Sequence, residues 1–276
     1  MSIRSFSQFA IIAVLTLWAL FCLYPLVWMI GASLKTSQEV MQSFSLFPAG
    51  KWHWETFIDV WNRLNFFKYF MNSLNVTLMT IVGVNLIYSL TAFAVAKLHF
   101  PGKNFIFYGF LAMMFVPGIT ILIPLYLTEY YLGILNTHLG LILPIINGAG
   151  PFALFLFRNY FQSIPHEIYE SAKLEGCGPI RTWWRIYFPL SLPAVATITI
   201  MNFLGSWNSL VLPMVMLTNQ DLFTLPLAVM LLDTGVFRQW NVLMAGSLIS
   251  VIPVILVFFF MQKYYIQGLA SGAIKS

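Results

Sequence analysis

Six long apolar runs constrain this chain more than any other feature of its sequence. They lie at residues 9–32, 72–97, 104–127, 138–157, 189–217 and 244–264. Each run is long enough for an α-helix to cross a lipid bilayer, which takes roughly 17–25 residues. Because 59% of the residues are hydrophobic and only 8% are charged, one soluble core would not bury this much apolar surface. The sequence therefore predicts an all-α polytopic membrane protein with six transmembrane helices, in one domain over residues 1–276.

The first run has a second interpretation, because a cleaved signal peptide is also apolar. Arg4 precedes the run and small residues follow it. The run is nevertheless longer than the roughly 7–15 apolar residues of a signal peptide, so we expect it to be retained as a span. Cys22 lies inside this run and Cys177 is far away in sequence, which argues against a disulfide framework.

The positions of Lys and Arg predict that both termini lie in the cytoplasm, because cytoplasmic loops carry an excess of these residues. With this orientation the inner segments hold Arg4, Lys97, Lys103, Arg158, Lys173, Arg181, Arg185, Lys263 and Lys275. The outer segments hold Lys35, Lys51, Arg63, Lys68 and Arg238, four of them in the first outer loop.

That first outer loop, at about residues 33–71, is rich in aromatic side chains. They are Trp52, Trp54, Phe57, Trp61, Phe66, Phe67 and Phe70. Such residues are typical of the belt at a membrane interface. The same residues are compatible with a docking surface for an outer partner, which would also use residues 220–240.

A polar segment at residues 165–188 separates the fourth and fifth runs and lies on the predicted cytoplasmic side. Pro165 suits the first turn of a helix, and Glu167 lies where the helix dipole favours an acid. Lys173 lies near the other end, and Gly176 fits the position just after a helix, where glycine is common. The segment therefore predicts a short helix at residues 165–175, followed by a glycine turn and a second short helix.

The spacing of residues in this segment resembles the EAA loop, a motif of permease subunits in binding-protein-dependent ABC importers. That motif reads Glu-Ala-Ala, three residues, Gly, nine residues, Ile, one residue and Leu-Pro. The matching residues here are Glu170, Ser171, Ala172, Gly176, Ile186 and Pro189, and every spacing holds. Three changes are mild: Ser171 replaces an alanine, Glu175 replaces the commoner aspartate, and Phe188 replaces the leucine.

Other short motifs resemble the carbohydrate, maltose-type branch of the same family. They are Ser33-Leu34-Lys35, Asn72-Ser73, Trp207-Asn208 and the tail Gly272-Ala273-Ile274-Lys275. The resemblance therefore runs over nearly the whole chain. It implies a subunit that translocates a carbohydrate or related polyol across the cytoplasmic membrane of a bacterium or archaeon.

The resemblance also implies partners and a role for the polar segment. The expected partners are a second homologous permease subunit, a cytoplasmic ATPase dimer that binds ATP and Mg²⁺, and a solute-binding protein outside. The segment would be the coupling helix that transmits closure of the ATPase dimer to the spans. Its coupling residues would be Glu167, Glu170, Ser171, Ala172, Lys173, Glu175 and Gly176.

The chain lacks the motifs of an enzyme or of a nucleotide-binding subunit. No Gly-x-x-x-x-Gly-Lys-Ser/Thr loop occurs, and the four histidines form no metal-binding pattern. We therefore expect no catalytic residue, no metal and no cofactor bound by this chain. The nine acids fall in predicted loops or at span ends, which argues against an ion-driven carrier. That carrier or a channel, and an ABC permease for a non-sugar solute, remain the alternatives.

Polar residues in the proline-containing spans are candidates for the solute path. They are Asn147 in the fourth span and Asn202, Trp207 and Asn208 in the fifth. Amides can bond sugar hydroxyls, and an indole can pack on the apolar face of a pyranose. The alternatives are that the Asn residues bond between helices and that Trp207 marks the outer interface.

Overall fold

The structure is a computed structural model that describes residues 3–63, 65–231 and 239–273. For residues 3–7, 63 and 261–273 only the backbone is described. All regular elements in these ranges are helical. The α-helices are α1 (Ile3–Ser33), α2 (Ser37–Gln42), α3 (Glu55–Arg63), α4 (Phe66–Lys97), α5 (Lys103–Ala112), α6 (Leu122–Leu132), α7 (Leu139–Ser163), α8 (His166–Leu174), α9 (Pro179–Thr182), α10 (Phe188–Leu190), α11 (Leu192–Trp207), α12 (Val211–Met216), α13 (Leu225–Leu231) and α14 (Trp240–Ala273).

Four helical segments are long and apolar enough to cross a membrane. They are Gln8–Ser33, Phe66–Lys97, Leu139–Ser163 and Trp240–Phe260. Two bent pairs also qualify if each counts as one span: Lys103–Phe115 with Gly118–Leu132, bent by 98°, and Pro179–Leu190 with Leu192–Trp207, bent by 78°. The prediction of an all-α multi-span chain is confirmed, with four to six spans in the described residues.

The predicted third and fifth spans are not single straight helices. The third breaks before Pro117, which has an extended backbone with φ −61° and ψ 128° and cannot donate a helical hydrogen bond. The fifth breaks at Ser191, two residues before Pro193, and again at Asn208, where α11 ends. The spans predicted at about 104–127 and 189–217 therefore each contain a break that the sequence analysis did not predict, and their boundaries stay a prediction.

The chain forms two compact units, and the first comprises residues 1–67 and 228–252. In this unit the end of α1 approaches the following loop closely. A Cβ atom added to Gly31 would lie 1.6 Å from the carbonyl oxygen of Leu46, so only glycine fits there. Lys35 is buried, and its Nζ donates a hydrogen bond to the carbonyl of Ser45 at 2.5 Å.

The second unit comprises residues 68–227 and 253–276, and α4, α7 and α11 lie at its centre. Helices α4 and α7 pack closely because Gly150 faces the ring of Tyr88. Helices α4 and α11 are joined by a hydrogen bond from Asn85 Nδ2 to Thr199 Oγ1 at 3.1 Å. The apolar core of the unit extends from Val84 to the aromatic residues beneath the polar segment at 165–188.

Candidate functional site

Helix α8 confirms the short helix and the glycine stop that the sequence predicts. Gly176 has φ +78°, a conformation that glycine adopts without strain. Its N–H donates to the carbonyl of Lys173 at 3.0 Å, and the N–H of Cys177 donates to that of Ala172 at 2.9 Å. These two bonds form a Schellman motif, which ends the helix at a defined residue and fixes the direction of the chain after it.

The predicted coupling residues lie on one short helix and its cap, and most of them face solvent. Ala172 alone is buried, whereas the others are exposed: Glu167, Glu170, Ser171, Lys173, Glu175 and Gly176. Three large apolar side chains in the segment are also exposed, with Leu174 at 90%, Ile180 at 70% and Trp184 at 52%. Exposed apolar residues beside charged ones are typical of a surface that binds another protein.

Beneath α8 an aromatic cluster connects the polar segment to the spans. Tyr187 is fully buried, and its ring centroid lies 5.0 Å from that of Phe93 and 5.7 Å from that of Phe161. Tyr169 of α8 contacts Phe93 at 6.0 Å. Edge-to-face rings at such distances attract one another, so the cluster holds α8 against the ends of α4 and α7.

Sequence reasoning missed a buried cation at this site. Lys97 is only 4% exposed, and its Nζ donates a hydrogen bond to the carbonyl of Ile164 at 2.6 Å. In the sequence Lys97 is a positive charge at the end of an apolar run and serves only to predict orientation. That signal does not distinguish a solvated lysine from a buried one.

The four candidates for the solute path lie in different environments. Asn147 and Asn208 are exposed, and Asn202 and Trp207 are buried. Both Asn202 and Asn208 donate to a carbonyl four residues earlier in their own helix, at 2.9 and 3.0 Å. Trp207 stacks on Phe203 with a centroid separation of 5.5 Å. For Asn202 and Trp207 these contacts favour a packing role, and a solute contact stays a prediction for all four residues.

The segment at 217–225, which contains the start of the predicted outer docking region, is held by side chains from elsewhere in the second unit. Asn136, at φ +58°, accepts hydrogen bonds at its Oδ1 from two backbone N–H groups of the segment, each at 2.9 Å. Asn72 donates to two of its carbonyls at 2.9 and 3.0 Å, and Lys68 pairs with Asp221 at 2.5 Å. Residues 232–238 of the docking region lie outside the described part of the chain.

The predicted outer loop, which lies in the first unit, has stacked aromatic rings and a stabilised acid. Trp52 stacks with Phe47 at 5.9 Å and with Trp54 at 6.2 Å. Beside them, a hydrogen bond from its own backbone, followed by bonds from His53 and Lys51, lowers the pKa of Glu55 from 4.5 to about 2. This loop therefore holds an ionised carboxylate, paired with Lys51 at 3.1 Å, next to exposed aromatic rings.

One acid lies in an unexpected environment. Glu129 lies in the last turn of α6, close to the span end that the sequence predicts, but it is only 2% exposed. Neither carboxylate oxygen has a hydrogen-bond partner among the described residues. A Cβ atom added to Gly140 would lie 2.6 Å from its Oε2. No three His, Cys, Asp or Glu side chains in the described ranges are grouped closely enough to hold a metal ion.

Comparison with known proteins identifies many similar chains. Residues 88–271 match the family model of the binding-protein-dependent transport system inner membrane component. The chain is 36% identical to the probable ABC transporter permease protein YurM of Bacillus subtilis, over 91% of this chain and 83% of that protein. It is 32% identical to the diacetylchitobiose uptake system permease protein NgcG of Streptomyces coelicolor, over 95% of this chain and 87% of that protein.

A solved structure has the same fold. It is a bacterial ABC transporter involved in the import of the acidic polysaccharide alginate, with a TM-score of 0.82 and 26% identity. The match covers 96% of this chain and 99% of that chain. Since the family model spans most of this chain and the relatives span nearly all of it, the chain belongs to the family of inner-membrane permease components of binding-protein-dependent ABC transporters.

Proposed function

We propose that the chain is one permease subunit of an ATP-driven importer for a carbohydrate or related polyol. The support for the solute class comes from the relatives. Besides the diacetylchitobiose permease, they include arabinooligosaccharide, galactooligosaccharide and trehalose permease proteins at 29–32% identity. Several different saccharides recur among these proteins, so we assign the class and leave the individual sugar to experiment.

Helix α8 is the coupling helix in this proposal, and the exposure of Leu174 is the observation that carries it. A helix that faced only water would gain nothing from an apolar side chain exposed at 90%. Burying a leucine in a partner's cleft contributes about 1.5–3 kcal/mol. The acids Glu167 and Glu170 beside it suit a basic surface on the partner. We place this partner, an ATPase dimer that binds ATP and Mg²⁺, on the cytoplasmic side.

The remaining partners follow from the same proposal. A second homologous permease subunit completes the translocation path, and a solute-binding protein delivers the carbohydrate from outside. The outer surfaces available to that protein are the aromatic loop at 47–54 and the fixed segment at 217–225. Both termini lie in the cytoplasm, and the chain itself catalyses no reaction because ATP hydrolysis occurs on the ATPase.

Deletion of residues 165–175 tests the coupling role. We expect the deleted chain to insert into the membrane but to lose the ATPase subunits on purification. Leu174→Ser is a milder variant, and Leu132→Ser is its matched control because Leu132 is also well exposed, at 66%. ATPase co-purifying in normal amounts with the deleted chain, or equal loss in both serine variants, would refute the assignment.

Reconstitution tests the energy source and the solute class. The importer assembled in proteoliposomes should accumulate a saccharide that its binding protein recognises, and accumulation should require ATP. A panel of trehalose, diacetylchitobiose and arabinooligosaccharides covers the classes of the relatives. Uptake driven by a proton or sodium gradient without ATP would overturn the proposal in favour of a secondary carrier.

A further inference from the structure

Lys97 lies where three helices meet. It is the last residue of α4, and its ammonium group is bonded to the carbonyl of Ile164. Ile164 caps the C-terminus of α7, and Pro165, the next residue, precedes the first turn of α8. A single side chain therefore connects the end of α4 to the joint between α7 and α8.

The local chemistry of this joint calls for a donor. The last carbonyls of a helix lack partners within the helix, and a residue before proline is pushed into an extended conformation. Ile164 has φ −77° and ψ 130°, so α7 stops there. The negative end of the α7 dipole also favours a cation. A charged donor makes a stronger bond to such a carbonyl than a neutral donor does.

The surroundings of the ammonium group extend this connection to the elements after α8. The ring centroid of Tyr187 lies 5.6 Å from Nζ, within the range of a cation–π contact. Glu167, in the first turn of α8, attracts the same ammonium group electrostatically. Tyr187 in turn packs on Phe93 of α4 and Phe161 of α7. Lys97 thus bonds the residue just before the polar segment and contacts Tyr187 near the segment's far end.

We propose that Lys97 is a positioning residue for coupling, which anchors the near end of α8 to α4. This inference rests on the proposed coupling role of α8. Helix α8 can transmit motion to α4 only if the end of α8 that is attached to α4 does not shift relative to α4. When the ATPase displaces α8, the bond from Lys97 carries the displacement to α4 and, through α4, to the spans packed against it. Without the bond, the contact of Tyr169 with Phe93 still joins α8 to α4, but less of the displacement of α8 reaches α4.

The test compares three variants in the assembled importer, reconstituted with its partner permease subunit, ATPase and binding protein. Lys97→Met fills a similar volume without a charge or donor, and Lys97→Arg keeps both. Lys103→Met is the matched control. Its Nζ donates to the carbonyl of Leu98 at 3.2 Å, which is also a lysine-to-carbonyl bond but stays within the α4–α5 loop.

We expect Lys97→Met to lower the ATPase stimulation by loaded binding protein about tenfold per assembled complex, within the usual range of coupling effects. Lys97→Arg and Lys103→Met should stay within about twofold of the unsubstituted complex. Amide exchange at residues 164–176 should be faster in Lys97→Met than in Lys103→Met. A residue needed only for folding would instead reduce the amount of complex and leave stimulation per complex unchanged.

Unchanged stimulation and unchanged exchange in Lys97→Met would overturn the inference. If this variant does not assemble, Lys97→Gln takes its place, because it keeps a donor without the charge, and normal stimulation there would overturn the role of the charge. Failure of the proposed function gives a different result, since the unsubstituted complex would then show no stimulation by any binding protein. In that case the exchange comparison still decides whether Lys97 anchors α8.

Discussion

Replacement of Gly150 by alanine is expected to force α4 and α7 apart. The added Cβ would lie 2.1 Å from the hydroxyl oxygen of Tyr88, 2.2 Å from Cζ and 2.6 Å from Cε1. Tyr88 is only 5% exposed and packs edge-to-face on Phe110 at 6.3 Å, so its ring has little room to retreat. Overpacking of this kind costs about 1–3 kcal/mol.

Gly148 on the same helix provides the matched control. A Cβ atom there meets nothing within 4 Å, so Gly148→Ala gains helix propensity without a clash. That gain is about 0.5–1 kcal/mol and applies to both variants, so they should differ by the overpacking cost alone, roughly 1–3 kcal/mol. The midpoint of thermal or denaturant unfolding of the purified permease complex measures the difference.

A double-mutant cycle identifies the clash as the cause. Tyr88→Leu shortens the side chain that the new methyl group meets, so Gly150→Ala should cost less in that background than in the unsubstituted chain. Residues in contact give coupling energies of about 0.5–3 kcal/mol. Equal stability of the Gly150→Ala and Gly148→Ala variants would contradict the packing, and so would an additive cycle.

Three other substitutions test separate features of the structure. Glu129→Met should raise the free energy of unfolding by about 1–3 kcal/mol, because it removes a buried carboxyl that no described residue hydrogen-bonds. A lower free energy of unfolding would mean that the carboxyl is stabilising. Gly176→Val should reduce transport and make the loop after α8 more sensitive to protease, since a left-handed conformation costs about 1–2 kcal/mol without glycine; Gly176→Asn should be milder. Asn72→Ala should destabilise the complex more than Lys68→Met does, because Asn72 makes two hydrogen bonds to the 217–225 segment. The exposed ion pair of Lys68 with Asp221 contributes only about 0–1 kcal/mol. The reverse order in unfolding experiments would contradict this.

The fold class and the position of α8 follow from the sequence for physical reasons. Spans of this length require apolar composition, and a polar segment between two spans has to leave the lipid. The helix predicted at 165–175 matches the observed α8 because its signals are local. A proline at the start, an acid in the first turn and Gly176 at the end each act within one turn.

The helix breaks depend on tertiary neighbours and were therefore not predictable from hydropathy. Proline occurs inside α1, α7 and α14 without ending them, yet Pro117 coincides with a bend of 98°. The residue type is the same, so the presence of proline alone does not decide whether a helix ends. For the same reason charge alone did not identify Lys97 or Glu129 as buried, since the sequence records that a charge exists and not what covers it.

The π-helical turn at Trp183–Tyr187 stores one extra residue between the polar segment and the helices that follow. A π-turn carries one more residue than an α-helical turn, so loss of a single residue there would restore regular winding. Because the wider turn already absorbs the extra residue, the helices beyond it would keep nearly the same rotational phase about the helix axis. The side chains within the turn would change places instead, including Tyr187, which packs on Phe93 and Phe161. A one-residue change of length at this turn therefore alters the aromatic contacts beneath α8 and leaves the direction of α11 unchanged.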